Sequence, residues 1–439
     1  MTKLNQINQN ASAFDVGSEK VFLAMPDSKV FSFLTFTPDL KKAVEFLLEN
    51  EISSVAMEST GVYGIVLYEM LVEAGIDVCL VNPSHVKMVP GRKTDVQDCQ
   101  WLQQLHSYGL LKSSFIPDAA IKELRSYVRI RENYVEEQSS SIHRMQKALT
   151  MMNIRLHQII SQIHGVSGMK VVKAILNGDR DAEKLLQLCD KRIIKNKSEE
   201  VLKSLNGNYK EEHLFALQQA VDCYEFIQSK ITECDAKVDH QLSKLNSGKP
   251  TITKITPPKK IRHHKPCIEN FHEKMVSFVG KDITSLPGFT DYNLMQLFSE
   301  TGTDLEKWPS EKHFTSWLGL APGKNDSGKK NKKAKKKASP RAGLIFREAA
   351  QCLLQSKNIG LGDFARRLRA KKGPYIAIMA TARKLAELFY RAMTKGLEYV
   401  EKGIEEYQKQ LGIQQLKSLI KRAAILNMKI VPNNFQDET

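Results

Sequence analysis

Four carboxylates have the residue type and spacing for phosphodiester chemistry: Asp15, Glu58, Asp95 and Asp98. Asp15 stands in Ala-Phe-Asp-Val-Gly and Glu58 in Val-Ala-Met-Glu-Ser-Thr-Gly, each closing a short apolar run. Asp95 and Asp98 are three apart at the start of a helical pattern, so they share a face with Cβ atoms about 5–6 Å apart. Four converging, ionised carboxylates repel one another. Two Mg2+ ions about 3.5–4 Å apart (Mn2+ could substitute) would remove that repulsion and activate an oxygen nucleophile for in-line attack on a phosphodiester. Ser327, in Asn-Asp-Ser-Gly-Lys, is the other candidate. Its hydroxyl lies among lysines, which could depress its pKa or stabilise a pentacoordinate transition state. Each residue also has a plainer reading. An Asp after a strand is a common turn residue, Asp95 suits any helix N-terminus, and Ser-Gly is a common turn ahead of a solvated basic loop. The joint placement of the four acids favours the metal site.

The elements around these residues read as α/β. Apolar runs at 13–16, 21–25 and 30–36 predict three strands joined by tight turns, hence antiparallel. A helix follows from Pro38-Asp39 to residue 48, then a strand at 54–57, a helix over 62–74, a strand at 77–81 and a helix over 95–107. The later strands cross over through helices and add in parallel. This is the mixed five-stranded plan of ribonuclease H and RuvC-like nucleases, in which the first and fourth strands are neighbours and their ends bring Asp15 and Glu58 together. An actin-like ATPase also ends its first strand Asp-x-Gly, but the second phosphate-binding Asp-x-Gly that fold needs is not evident.

Beyond residue 117 the pattern is helical. Ile121, Val128, Val135, Ile142, Leu149, Leu156 and Ile163 repeat every seven residues, with Leu124, Arg131, Gln138, Met145, Met152 and Ile159 at the matching positions. This predicts a coiled-coil seam of roughly 60 Å with two polar interruptions. A second seam runs through Leu217, Tyr224, Ile231, Val238 and Leu245. The two could pair within one chain or between protomers. The stretch 247–265, with Pro257-Pro258-Lys259-Lys260, reads as a basic linker. Ser285-Leu286-Pro287-Gly288-Phe289 ahead of a helix looks like a helix-hairpin-helix turn, whose amides bind phosphate, or a plain Pro-Gly turn. The expected organisation is a catalytic domain over 1–117, a coiled-coil and linker region over 118–265, and a mainly helical domain over 266–439.

Charge follows this division. Of the net +16, residues 1–120 carry −5 and the remainder +21. The segment 323–341 alone holds 9 basic residues against one acid. A polyanionic partner is expected, nucleic acid ahead of a membrane surface. Seven cysteines without a C-x-x-C pair argue against a zinc ribbon or redox motif and for a reducing, cytoplasmic setting. No apolar run is long enough to span a bilayer and no signal peptide is apparent.

These residues resemble the DEDD insertion-sequence transposases of the IS-one-ten group, relatives of the Piv DNA invertases. The resemblance covers nearly the whole chain. It rests on Phe14-Asp15-Val16-Gly17, Ala56-Met57-Glu58-Ser59-Thr60-Gly61-Val62-Tyr63 and Pro90-Gly91-Arg92-Lys93-Thr94-Asp95-Val96-Gln97-Asp98. In the C-terminal part it rests on Ser316-Trp317-Leu318-Gly319-Leu320-Ala321-Pro322, Ser327-Gly328-Lys329 and Phe346-Arg347-Glu348-Ala349-Ala350. It implies a RuvC-like domain whose tetrad Asp15, Glu58, Asp95 and Asp98 binds metal, and a serine, Ser327, that attacks DNA to form a phosphoserine link. It also implies a composite site between protomers of a homodimer or homotetramer, a structured non-coding guide RNA, and element-end and target DNA as substrates in a bacterial, nucleoid-associated setting. Arg92, Lys93, Lys324, Lys329, Lys330, Lys332, Lys333, Arg341 and Arg347 are the candidate nucleic-acid contacts. Two alternatives stand beside this reading. One is a RuvC-like Holliday-junction endonuclease with water as nucleophile, the other a non-catalytic nucleic-acid-binding coiled-coil protein.

Overall fold

The computed structural model describes residues 6–58, 61–82, 86, 94–250, 252, 255–322, 325–327, 330–332, 340–356 and 360–430. The chain divides into two compact units, Met1–Ile116 and Pro117–Thr439. The helical and C-terminal regions, expected as two domains, lie in one unit.

In the first unit, β1 (Ala11–Val16), β2 (Lys20–Ala24) and β3 (Val30–Leu34) form an antiparallel meander. Helix α1 (Thr37–Glu49) leads to β4 (Ser54–Glu58), α2 (Ile65–Glu73) leads to β5 (Asp77–Val81), and α3 (Asp95–Ser107) follows. The strand order is β3-β2-β1-β4-β5, with β4 parallel to both β1 and β5. This is the mixed sheet expected from the run pattern.

Side chains alternate across a strand, and that parity sorts the unit. Phe14 and Val16 pack with Leu40 and Leu47 of α1 and Leu67 and Leu71 of α2. On the opposite face Ala13, Ala56 and Val81 receive Leu102 of α3. The register pairs Ala13 with Ala56 and Phe14 with Met57. Asp15 and Glu58, the next positions, therefore project on the α3 face. Two alanines beneath Leu102 let α3 approach closely. Polar side chains then fasten it. Cys99 Sγ lies 3.0 Å from Phe22 O and 3.2 Å from Ala13 O, and Gln103 Nε2 donates to Ala11 O at 2.9 Å. Ser54 Oγ and His106 Nε2 are 2.8 Å apart. Burial pushes the Cys99 thiol up to about 12, so it serves as a neutral group.

The second unit is built along α4 (Ala119–Met151). It is followed by α5 (Leu156–Ile159), α6 (Val166–Leu176), α7 (Ala182–Gln187), α8 (Lys191–Ser204) and α9 (Glu211–Asn246). Helices α4 and α9 pack side by side within the chain. Arg131 meets Asp235, Gln138 meets Gln228, and Gln241 donates to Ala120 O, so the pair is antiparallel. Leu124, Arg131, Gln138, Met145 and Met152 are all buried, as the seven-residue pattern requires. The series was expected to continue to Ile163, but α4 ends at Met151 and Asn153 turns left-handed at φ 61°. Leu156 and Ile163 instead join the core that α6 to α8 build against one end of the pair.

The two polar interruptions are the register lock. Arg131 is 1% exposed; its Nε lies 2.5 Å from Asp235 Oδ1. Its Nη2 donates to His264 O at 2.9 Å, and its guanidinium sits 5.2 Å from the Tyr292 ring centre. The other Asp235 oxygen accepts from Cys267 N at 2.9 Å. The expected linker is thus an exposed strap tethered by hydrogen bonds. Thr256 N donates to Asp282 Oδ2 at 3.0 Å, Lys259 Nζ to Leu286 O at 3.0 Å, and His272 Nε2 to Thr256 O at 2.8 Å.

The strap leads into α10 (Phe271–Val279), a 3-10 turn (Ile283–Ser285), α11 (Asp291–Thr301) and α12 (Glu311–Trp317). The short strands β6 (Asn325–Ser327) and β7 (Lys330–Lys332) follow. Then come α13 (Arg341–Gln355), α14 (Gly360–Lys372), α15 (Pro374–Lys395) and α16 (Leu397–Ile425). Phe289, Phe298, Phe314, Phe346 and Phe389 form its buried aromatic centre. Gly343 lets α13 abut α12, since a Cβ there would come within 2.1 Å of Leu318 O.

Truncating one partner of a buried ion pair strands the other charge, at a cost of about 3–5 kcal/mol. Arg131→Ala and Asp235→Ala should each lower the unfolding free energy by that order, with a matching fall in the urea midpoint. The double variant Arg131→Met/Asp235→Leu should lose less than either, as read by urea unfolding followed by circular dichroism.

Candidate active site

Asp15 is half-buried at the end of β1, with Glu58 at the end of the parallel neighbour β4. Asp95 and Asp98 occupy the first turn of α3, exposed, behind the cap Thr94, whose Oγ1 accepts from Gln97 N at 3.3 Å. The Asp15 carboxyl is raised to about 6 by burial first, then by the charges of Glu58, Asp95 and Asp98. Three acids from two further elements therefore act on one carboxylate. Among the described residues, no three His, Cys, Asp or Glu side chains stand in a metal-ligating arrangement. The charges of Glu58, Asp95 and Asp98 nevertheless all reach Asp15. The donor chemistry fits a hard divalent cation: all oxygen, all carboxylate, around a group that burial and repulsion keep from ionising freely.

Ser327 ends β6 and is register-paired with Lys330 of β7, as Asn325 is with Lys332. It thus closes a strand where a turn was expected. Arg92, Lys93, Lys324, Lys329 and Lys333 lie outside the described residues. Arg341, a candidate nucleic-acid contact, bonds Glu132 of α4 through Nη1 at 2.9 Å. Arg347 carries a buried Nε with no hydrogen-bond partner among the described residues.

Several polar groups in this region carried no clear sequence signal. Glu132 also accepts from Gln296 Nε2 at 2.7 Å, and burial raises its pKa. Glu348 is raised by burial and by the charge of Glu132. Arg129 grips both Glu300 oxygens at 2.7 and 2.8 Å, and Arg125 reaches the Ser299 and Glu300 carbonyls. The four-residue spacing of Arg125 and Arg129 marks one helix face, but their acid lies far along the chain. The Pro287-Gly288 turn forms as expected, with Gly288 at φ 86°. A capping box engages the Thr290 and Asn293 amides, so two donors that could meet a phosphate are already paired.

A family model for DEDD transposases of the IS110 type, described as Transposase, matches residues 14–154 and includes all four acids. A second, described as Transposase IS116/IS110/IS902 family, matches residues 280–363, which include Ser327. Together they span just over half of the chain. No curated protein matches it.

The raised Asp15 pKa sets a pH dependence. The folded protein holds a proton that the unfolded chain, near 3.8, releases. The stabilisation from that proton is present below about pH 4 and lost as pH rises through about 6. In chelator-treated protein the thermal midpoint should fall across this window. Asp15→Asn should flatten that segment and raise the midpoint at pH 7; an unchanged slope would remove Asp15 from the cluster.

Proposed function

This chain belongs to the IS110 family of DEDD transposases, and we propose that it cuts and rejoins element-end and target DNA with Asp15, Glu58, Asp95 and Asp98 as a metal-binding tetrad. As a transposase it is a DNA-recombining enzyme; the tetrad, the ion and the nucleophile are the finer reading. The observation that carries it is the convergence of three acids on Asp15, within the matched segment 14–154. Mg2+, or Mn2+ in its place, would supply Lewis acidity at a phosphodiester oxygen.

The chain's own groups divide the remaining work. Asp15 and Glu58, fixed by strand register, are the rigid ligands. Asp95 and Asp98 ride on α3, which the Cys99, Gln103 and His106 contacts hold against the sheet. The Ser327 hydroxyl attacks phosphorus in line: the Oγ–P bond forms, a DNA P–O bond breaks, the Oγ proton leaves, and the departing sugar oxygen takes up a proton. A free 3′- or 5′-hydroxyl and a phosphoserine link result. Lysines of 323–341, among them Lys324, Lys329, Lys330, Lys332 and Lys333, would hold phosphates, as would Arg92 and Lys93, close in sequence to Asp95. Arg341 would have to leave Glu132 to join them. Ser327 of one protomer would serve the tetrad of another in a homodimer or homotetramer. The α4–α9 pair is the coiled-coil element of this reading. The basic surface suits a structured guide RNA as well as DNA.

Incubation with element-end DNA and Mg2+, then denaturation, should give a covalent protein–DNA adduct that Ser327→Ala and Asp15→Asn both abolish. Cleavage without an adduct, indifferent to Ser327→Ala, would support a junction-resolving nuclease with water as nucleophile. Binding without cleavage, intact in Asp15→Asn, would support a non-catalytic DNA-binding role. Thorough ribonuclease treatment should stop recombination; full activity afterwards would discard the guide RNA.

A further inference from the structure

Helix α16 lies beyond both family matches, the later of which ends at residue 363. Among the described residues its second half is left exposed. Ile413, Leu416, Leu419, Ile420, Ile425 and Leu426 are 51–75% exposed, and no described residue between 412 and 430 is buried. Single exposed aliphatics are ordinary, but a run of them on one element marks a contact surface. Ile413, Leu416 and Ile420 recur at the three- and four-residue spacing of a helical seam.

Two further observations name the occupant. The first half of α16 carries Glu398, Glu401, Glu405 and Glu406 against Lys402 and Lys409, whereas the second half carries Lys417, Lys421 and Arg422 and no acid. Acids first and bases last also suits a helix dipole, but the dipole leaves the exposed aliphatics unexplained. Gly412, like Gly403, lies inside the continuous helix Leu397–Ile425, where glycine is disfavoured relative to alanine. Its φ is not left-handed, and a Cβ would meet nothing within 4 Å. Among the described residues nothing calls for a glycine there.

We propose that α16 packs antiparallel against α16 of a second copy of this chain, with the two-fold axis passing at Gly412. Antiparallel pairing lays each basic half along the acidic half of the other copy, and an isologous contact is self-complementary. The midpoint between the acidic and basic groups falls between Leu411 and Gly412. The residue without a side chain thus sits where two backbones come closest. This contact is independent of the transposase reading.

The test uses the full chain with its exposed cysteines removed (Cys223→Ser, Cys267→Ser, Cys352→Ser). Under mild oxidation Gly412→Cys should cross-link to itself, and Leu426→Cys should not. A 426–426 link, or no link at 412, overturns the proposal. Sedimentation equilibrium provides a second reading. Lys417→Glu/Lys421→Glu/Arg422→Glu should weaken self-association by about tenfold or more, and adding Glu401→Lys/Glu405→Lys/Glu406→Lys should restore it. Absence of weakening, failure of that rescue in variants with native circular dichroism, or a monomer that binds phosphatidylserine vesicles through α16 would each refute it.

Discussion

A guanidinium withdrawn from water must be matched inside the protein, and the second unit is organised around that requirement. Arg131 finds its carboxylate on Asp235, a carbonyl on His264 and an aromatic face on Tyr292. One side chain thereby sets the register of α4 against α9, captures the strap and places α11. The apolar seam alone would tolerate a shift of one heptad; a buried ion pair would not, because a slip leaves both charges unpaired. Gln138 and Gln228 repeat the device more weakly one layer on. A second face of α4 uses Arg125, Arg129 and Glu132 to hold α11 and α13. The helix that closes the serine-bearing segment is thus tied to the same spine.

The first unit answers the opposite problem, too many like charges in one place. Strand parity sends Asp15 and Glu58 to the α3 face, and small residues at Ala13 and Ala56 let α3 bring Asp95 and Asp98 to it. The sheet gains nothing from this crowding, which adds to burial in raising the Asp15 pKa to about 6. Groups that destabilise a fold while its core is well packed are a signature of a functional site. The acidic balance of residues 1–120 has the same origin, and the basic remainder suits a polyanion.

Most of the first unit was legible in sequence. Strand runs, their order and the Asp95–Ser107 helix needed only period and turn residues, and the β1–β4 adjacency followed from the ribonuclease H-like plan that this order matches. The long helices that carry the 121–149 and 217–245 repeats were legible for the same reason. Their polar interruptions were visible as Arg131 and Gln138, but their partners, 104 and 90 residues away, were not. The premature end of the first seam was hidden too: aliphatic spacing continued through Ile163, and only the turn at Asn153 broke it. The Pro/Lys-rich stretch read as a linker because its composition is polar. It is nevertheless tethered, because Asp282 and Leu286 accept from it and Arg131 donates to His264 O, partners that composition cannot reveal.

What the sequence by itself determined is periodic and local: strands, helices, caps, the four acids and the charge divide, each set by neighbours within a few residues. What only the tertiary structure decided is pairing: which carboxylate Arg131 meets, that α4 and α9 join within one chain, that Arg341 spends its charge on Glu132, and how strongly three acids bear on Asp15. Those outcomes depend on distances between residues remote in sequence. The strength of a charge interaction depends on such distances and on burial, neither of which is written in the order of residues.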